Sequence, residues 1–324
     1  RMMLGQRADI SSVEAIRKDL GLDKSPAHQY LKFLNDLSFV SFHHKNDPEN
    51  YWFLDEDNYG KTASIISWGD HTVVLKKPYL RRSYQSKREV TSILAEAFPN
   101  TLILAGTAIS FAMVIGVALG LIVATVNKNW LNKSVLVITV FGMSLPSFFA
   151  AILIAWVFAF LLADFTGLSM FGSLYSVDDY GRGEYINLKN LILPAFTLGI
   201  RPLAIVTELT RTSLLDVLDQ DYIRTAYAKG LRKVRIIGIH ALRNALNPVI
   251  TAVSGWFASL MAGAVFVEYV FDWKGVGVVI VDALEKYDLP VIMGAVLLIA
   301  VILIIINIFV DILYGLLDPR VRVA

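Results

Sequence analysis

The chain contains no cysteine. A disulfide framework, a thiolate metal site and a thiol nucleophile are therefore excluded. Histidine is scarce as well: there are five, and only His240 lies beyond residue 71. No G-x-x-x-x-G-K-[ST] stretch occurs, so the chain has no phosphate-cradling loop with which to hydrolyse ATP. It also lacks H-E-x-x-H and G-x-S-x-G, which leaves an intramembrane hydrolase without a nucleophile–base pair. Charged residues make up 18% and nearly cancel to +2, so their placement says more than their sum. The sequence opens at Arg1, without an initiating methionine or a signal-peptide pattern.

What is present is apolar. Hydrophobic residues make up 55% of the 324, and the mean hydropathy of +0.55 is too high for a soluble chain. They cluster into runs of about twenty or more, the length that crosses a bilayer as a helix. Five spans are predicted: Thr101–Val126, Ser134–Ala163, Leu191–Leu218, Val249–Val267 and Val291–Leu317. The expected fold is an all-α polytopic membrane bundle behind a polar region that ends near Asn100.

Polar residues inside the spans are candidates for function. Gly116 and Gly120 form a G-x-x-x-G step that would let two helix backbones approach, or are simply scattered glycines. Ser144-Leu145-Pro146-Ser147 interrupts the second span; proline frees backbone carbonyls and bends the helix, and the serines can satisfy them. That kink either borders a transport path or is purely structural. Arg201 stands well inside the third span, where a cation is costly. It either lines a cavity or is paired or snorkelling; Glu208 and Arg211 read as structural. Asn307, Asp311, Tyr314 and Asp318 share one face of the last span. Asp311 needs a partner there, and Arg243 or Arg211 is expected to supply it as a strut.

The stretch 219–248 organises the rest. Arg224, Lys229, Arg232, Lys233, Arg235 and Arg243 outnumber its acids, so it reads as a cytoplasmic loop. Tyr222 to Lys229 is a predicted helix, capped by Asp219 or Asp221 and stopped by Gly230. A second helix is expected from about Leu231. The elbow would present a small-residue surface to a soluble partner. Charge on the other connections alternates outside, inside, outside, inside, outside, inside across the five spans.

This loop resembles the cytoplasmic coupling loop of permease subunits of bacterial ABC importers, in their dipeptide/oligopeptide branch. The matching residues are Asp221, Tyr222, Ile223, Arg224, Thr225, Ala226, Ala228, Lys229, Gly230 and Leu231, then His240-Ala241-Leu242-Arg243-Asn244-Ala245-Leu246 and Pro248. Tyr227 departs from the pattern. The branch also resembles this chain at Leu20-Gly21-Leu22-Asp23, at Asn100-Thr101-Leu102, at the hairpin Val267 to Gly277, and at the close Leu317-Asp318-Pro319-Arg320. The resemblance implies a type I importer transmembrane bundle with one further span upstream.

It implies partners too: two cytoplasmic ABC ATPase subunits, a second permease subunit of paralogous sequence, an external substrate-binding protein and membrane lipid. It implies no nucleic acid, metal or cofactor. Asp221, Tyr222, Thr225, Ala226, Ala228, Gly230 and Leu231 would form the ATPase docking surface. Ser144, Pro146, Ser147 and Arg201 would border the translocation path. Residues 1–100 would lie outside and 101–324 would form the permease domain, in a bacterial inner membrane with the C-terminus inside. A secondary carrier, a channel or an intramembrane enzyme is the alternative.

The external region is less legible. Ser11–Leu20 reads as a capped helix ended by Gly21. Pro26–Leu37 reads as a second helix with Tyr30, Leu31, Phe33 and Leu34 on one side. Ile65 to Leu75 alternates around a Gly69-Asp70 turn, as a hairpin would. His43-His44 reads as two solvated histidines rather than a metal site. The segment 39–80 is an insert without a recognisable motif.

Overall fold

A computed structural model describes residues 21, 23–48, 50–126, 128–178 and 183–317. The expected helix Ser11–Leu20 and the closing residues from Asp318 lie outside them. Gly21, expected to end that helix, has φ +64°.

In chain order the first elements are α1 (Pro26–Leu37), β1 (Val40–His44), α2 (Glu56–Tyr59), β2 (Ala63–Trp68) and β3 (His71–Leu75). The long helix α3 (Val90–Thr125) follows, then α4 (Asn129–Ser144) and α5 (Ser147–Ile154), which runs on as a π-helical turn over Ala155–Leu161. Next come α6 (Ala163–Thr166), β4 (Tyr175–Val177), β5 (Glu184–Ile186) and α7 (Lys189–Leu218). The cytoplasmic candidate contains α8 (Asp221–Ala228), α9 (Lys233–Arg235), a π-helical run Ile236–Ala241 and α10 (Leu242–Ala245). The chain closes with α11 (Asn247–Gly263), α12 (Val265–Phe271), α13 (Val276–Glu285) and α14 (Leu289–Leu317). The chain divides into two compact units: 1–95 with 283–294, and 96–282 with 295–324.

The first unit holds an antiparallel sheet in the order β1-β3-β2. The expected hairpin is there, turning at Gly69, whose φ is +58°. Helix α1 has the expected limits, begun by Ser25 and by Pro26 in its first turn. The apolar side is not the buried one. Lys32 and Asp36 are buried, while Tyr30, Leu31 and Leu34 are exposed. The reason is a buried polar network. The Tyr59 hydroxyl accepts from Lys32 Nζ at 3.0 Å and donates to Asp36 Oδ1 at 2.7 Å. Arg81 Nε donates to Asp36 Oδ2 at 3.1 Å, and Lys76 Nζ donates to the carbonyls of Asp36 and Ser38. Buried charges are tolerated when paired and hydrogen-bonded in this way. His43 corrects the solvated reading too: it is fully buried, with Nε2 2.9 Å from Ser41 Oγ. Only His44 is partly open to solvent.

Two local contacts finish this unit. The Asn35 side chain donates to the Phe42 carbonyl and accepts from the Phe42 N–H, and His44 pairs its backbone with Trp52 and Leu54. The outer edge of β1 is thereby closed. The Asp288 carboxylate accepts from Ser83 Oγ and from Tyr84 N, joining groups 205 and 204 residues apart.

In the second unit, α3, α7 and α14 are each long and apolar enough to cross a membrane. Two bent pairs, 130–161 and 233–261, bring the number of crossings to five if each pair counts as one. Helix α7 is the central rod: 61% of its most apolar window is buried, against 28% and 22% for α3 and α14. The G-x-x-x-G step faces it. A Cβ on Gly116 would meet Val206, and one on Gly120 would stand 2.6 Å from Thr210 Cβ and 2.7 Å from the Thr207 carbonyl. The second span is not a kinked rod. Helices α4 and α5 meet at 112° across Leu145-Pro146. The β4–β5 hairpin had no counterpart in the sequence reading.

Candidate coupling elbow and transport path

Helix α8 begins after Gln220, whose side chain makes no cap bond, rather than at a capping aspartate. Asp221 takes the first helical turn, where its charge faces the positive end of the helix dipole. The helix ends in a two-bond turn. Gly230 N donates to the Tyr227 carbonyl at 2.9 Å, and Leu231 N donates to the Ala226 carbonyl at 3.3 Å. This is the Schellman arrangement, which needs a left-handed residue at its bend. Gly230 has φ +74°, and no atom lies within 4 Å of where a Cβ would stand. The torsion, not the space, requires glycine there. The second arm starts at Lys233, two residues later than expected.

Ile223 and Ala226 point into an apolar cluster with Leu214, Ile236, Ala241 and Ala245, and Leu231 packs against it. Ala226, expected on the docking surface, is therefore not part of an outward surface. Ile223 and Ala226, three apart, share the inward face of the helix, and the turn at Gly230 brings Leu231 back to the same cluster. Asp221, Tyr222, Thr225, Ala228 and Gly230 are exposed. Asn244 Nδ2 donates to the Tyr222 hydroxyl at 2.8 Å and so ties the two arms together. The sequence reading missed Val234. It is 84% exposed, and with Tyr222 and Tyr227, each nearly half exposed, it adds an apolar component to the elbow. An aliphatic residue between Lys233 and Arg235 was the only signal.

The candidate path residues converge. Arg201 Nη2 donates to the Met143 carbonyl at 3.3 Å, one residue before Ser144. Ser144 Oγ donates back to the Val140 carbonyl at 2.7 Å. A helix end leaves its last four carbonyls without partners, and Pro146 can donate no N–H, so the Arg201 guanidinium fills part of the gap at Met143. Gly142 lets α4 seat on α7, since a Cβ there would stand 2.8 Å from Ile200 Cγ2. Arg211 pairs with Glu208 at 3.2 Å. Arg243 is exposed, and the side chain of Asp311 lies outside the described residues.

Two motifs from distant parts of the chain also meet. Trp273 Nε1 donates to the Asn100 carbonyl at 2.9 Å, Asn100 Nδ2 to the Lys274 carbonyl at 2.8 Å, and Val276 N to Thr101 Oγ1 at 2.8 Å. Buried Glu268 accepts from Gly277 N at 2.6 Å. Gly275 and Gly277 are small because a Cβ on either would overlap that carboxylate.

A protein-family profile described as "Binding-protein-dependent transport system inner membrane component" matches residues 116–323. The chain belongs to this family. The permease is 40% identical over 255 residues to the dipeptide transport system permease protein DppB of Haemophilus influenzae, covering 74% of this chain and 76% of that one. It is 34% identical over 322 residues to the glutathione transport system permease protein GsiC of Pectobacterium atrosepticum, covering 99% and 88%. Among solved structures, a chain of the inward-facing MetNI methionine ABC transporter matches with a TM-score of 0.57 at 15% identity, over 70% of this chain and 97% of that one. The permease thus has the fold of a type I importer transmembrane subunit and is a multi-pass subunit of an ABC importer in an inner membrane.

Proposed function

We propose that this permease carries dipeptides, oligopeptides or similar small solutes, on energy from ATP hydrolysed by two cytoplasmic partner subunits. Relatives named for dipeptide and glutathione transport support the substrate class. A paralogous second permease subunit completes the membrane bundle, and an external binding protein delivers the solute. The N-terminal region is outside, and the C-terminus is inside. The observation that carries the reading is the elbow: a rigid left-handed turn at Gly230 that leaves Tyr222, Thr225, Ala228 and Val234 open to a partner. One ATPase subunit seats on it, and closure of the ATPase pair moves the elbow and rocks the bundle between inward- and outward-facing states. Arg201 and the Ser144–Ser147 break border the path, and Asp311 with Arg243 braces the last span against the elbow.

The test is Gly230→Arg in the complete transporter. The side chain has room within this chain, and the left-handed torsion costs a non-glycine residue only about 1–2 kcal/mol, so the subunit should still insert and assemble, which its membrane yield checks. Stimulation of ATP hydrolysis by the loaded binding protein should fall by at least tenfold, and uptake should fall with it. Normal uptake by a correctly inserted variant would remove the elbow from the docking surface.

A further inference from the structure

The sheet of the first unit is built inside out. Successive side chains on a strand point to opposite faces. The inner face presents Ser41, His43 and Thr72 beside a single aliphatic residue, Val74, and together with Lys76 just past β3 all are buried over the Lys32–Asp36 network. The outer face presents Val40, Phe42, Ile66, Trp68 and Leu75, which remain 51, 37, 58, 50 and 49% exposed. The register sets Phe42, Val73 and Ile66 in one row and His44, His71 and Trp68 in the next. Phe42 already stacks on His71 at 5.0 Å and tilts against Trp68 at 6.1 Å, so the face is ordered before anything covers it. No lysine, arginine, aspartate or glutamate occupies an outward position on it. A sheet with one wet side ordinarily does the reverse.

Five large apolar side chains on one face, each 37–58% open, make a patch of at least a few hundred Å², at the upper end of what is common on a monomer and within the ~800 Å² one partner gives a standard-size interface. That size discriminates between occupants. Permanent subunits bury more, whereas a partner that lands and leaves in each cycle buries about this much. The family is named for a binding protein that the transport system depends on. We propose that the outer face of β1-β3-β2 is the landing surface for that solute-binding protein. This rests on the importer reading above, with the N-terminal region outside.

The experiment uses the assembled transporter in lipid nanodiscs and its own purified, substrate-loaded binding protein. Ile66→Asp with Trp68→Glu should weaken binding by tenfold or more, while ATP hydrolysis without binding protein and membrane yield stay as in the unaltered transporter. A photoreactive benzoylphenylalanine in place of Trp68, in an otherwise unaltered chain, should form its adduct with the binding protein. This arm stands even if the double variant fails to assemble. Unchanged affinity in an assembled double variant overturns the inference. So does an adduct only with lipid, with a second copy or with the other permease subunit, or no adduct with the binding protein. If the unaltered transporter binds no solute-binding protein at all, the importer reading falls and takes the inference with it.

Discussion

His43 is a basic side chain held where a proton is unwelcome. Burial first, and then the neighbouring Lys32 and Lys76 charges, together lower its pKa from the usual 6.5 to about 4. The unfolded chain therefore binds a proton between about pH 6.5 and 4 that the folded unit refuses. The stability His43 contributes is complete above pH 6.5 and is lost as the pH falls toward 4, an effect on the order of 2 kcal/mol. Hydrogen exchange of the β3 amides in the intact protein should accelerate over that window, and His43→Gln should flatten the slope. An equally steep acid response in the variant would assign it to another group. No local signal in the sequence tells a buried histidine from a solvated one. The pair His43-His44 differs only in which side of β1 each residue takes.

At the scale of an element, α3 supplies its own control. A Cβ on Gly106 meets nothing within 4 Å, whereas one on Gly120 meets a side-chain carbon and a backbone oxygen of α7. Gly106→Ala should hold or raise the thermal stability of the purified transporter, because alanine favours helix by roughly 1 kcal/mol. Gly120→Ala should lower it by about 1–3 kcal/mol, the usual cost of overpacking. Equal shifts in the two melting temperatures would mean that α3 and α7 do not meet at Gly120. The G-x-x-x-G step could be read from sequence because its spacing is its mechanism, and Gly230 could be read because a left-handed torsion is a local need. The inward turn of Ala226 could not, since it is set by Leu214 and Ile236, which arrive from other helices. The 112° angle at Pro146 is beyond sequence for the same reason: proline ends a rod but does not aim the next one.

For the whole molecule, the apolar runs were enough to place three long spanning helices, and five crossings if each bent pair counts as one, because hydropathy needs no knowledge of contacts. Pairing across long separations was not legible. The first compact unit ends at 95, and the segment 283–294 returns to it. Asp288 is the clearest case, since its partners lie two hundred residues upstream. Asp288→Ala leaves a buried hydroxyl and an N–H without their acceptor, at a cost of about 1–3 kcal/mol. Exchange of the amides at 83–87 should quicken at least fivefold in the assembled transporter, with β1 and β3 unaffected. Protection equal to that of the unaltered chain would mean that other contacts hold this segment.

The sealed margin of β1 has a consequence for molecules made in excess of their neighbours. With Asn35 and the 52–54 strand-like segment closing that side, β2 is the one free border of the three-stranded sheet among the described residues. Strays could join β2 to β2 in a two-fold pair, but a third would find no vacancy, so such encounters stop at dimers instead of growing into fibres.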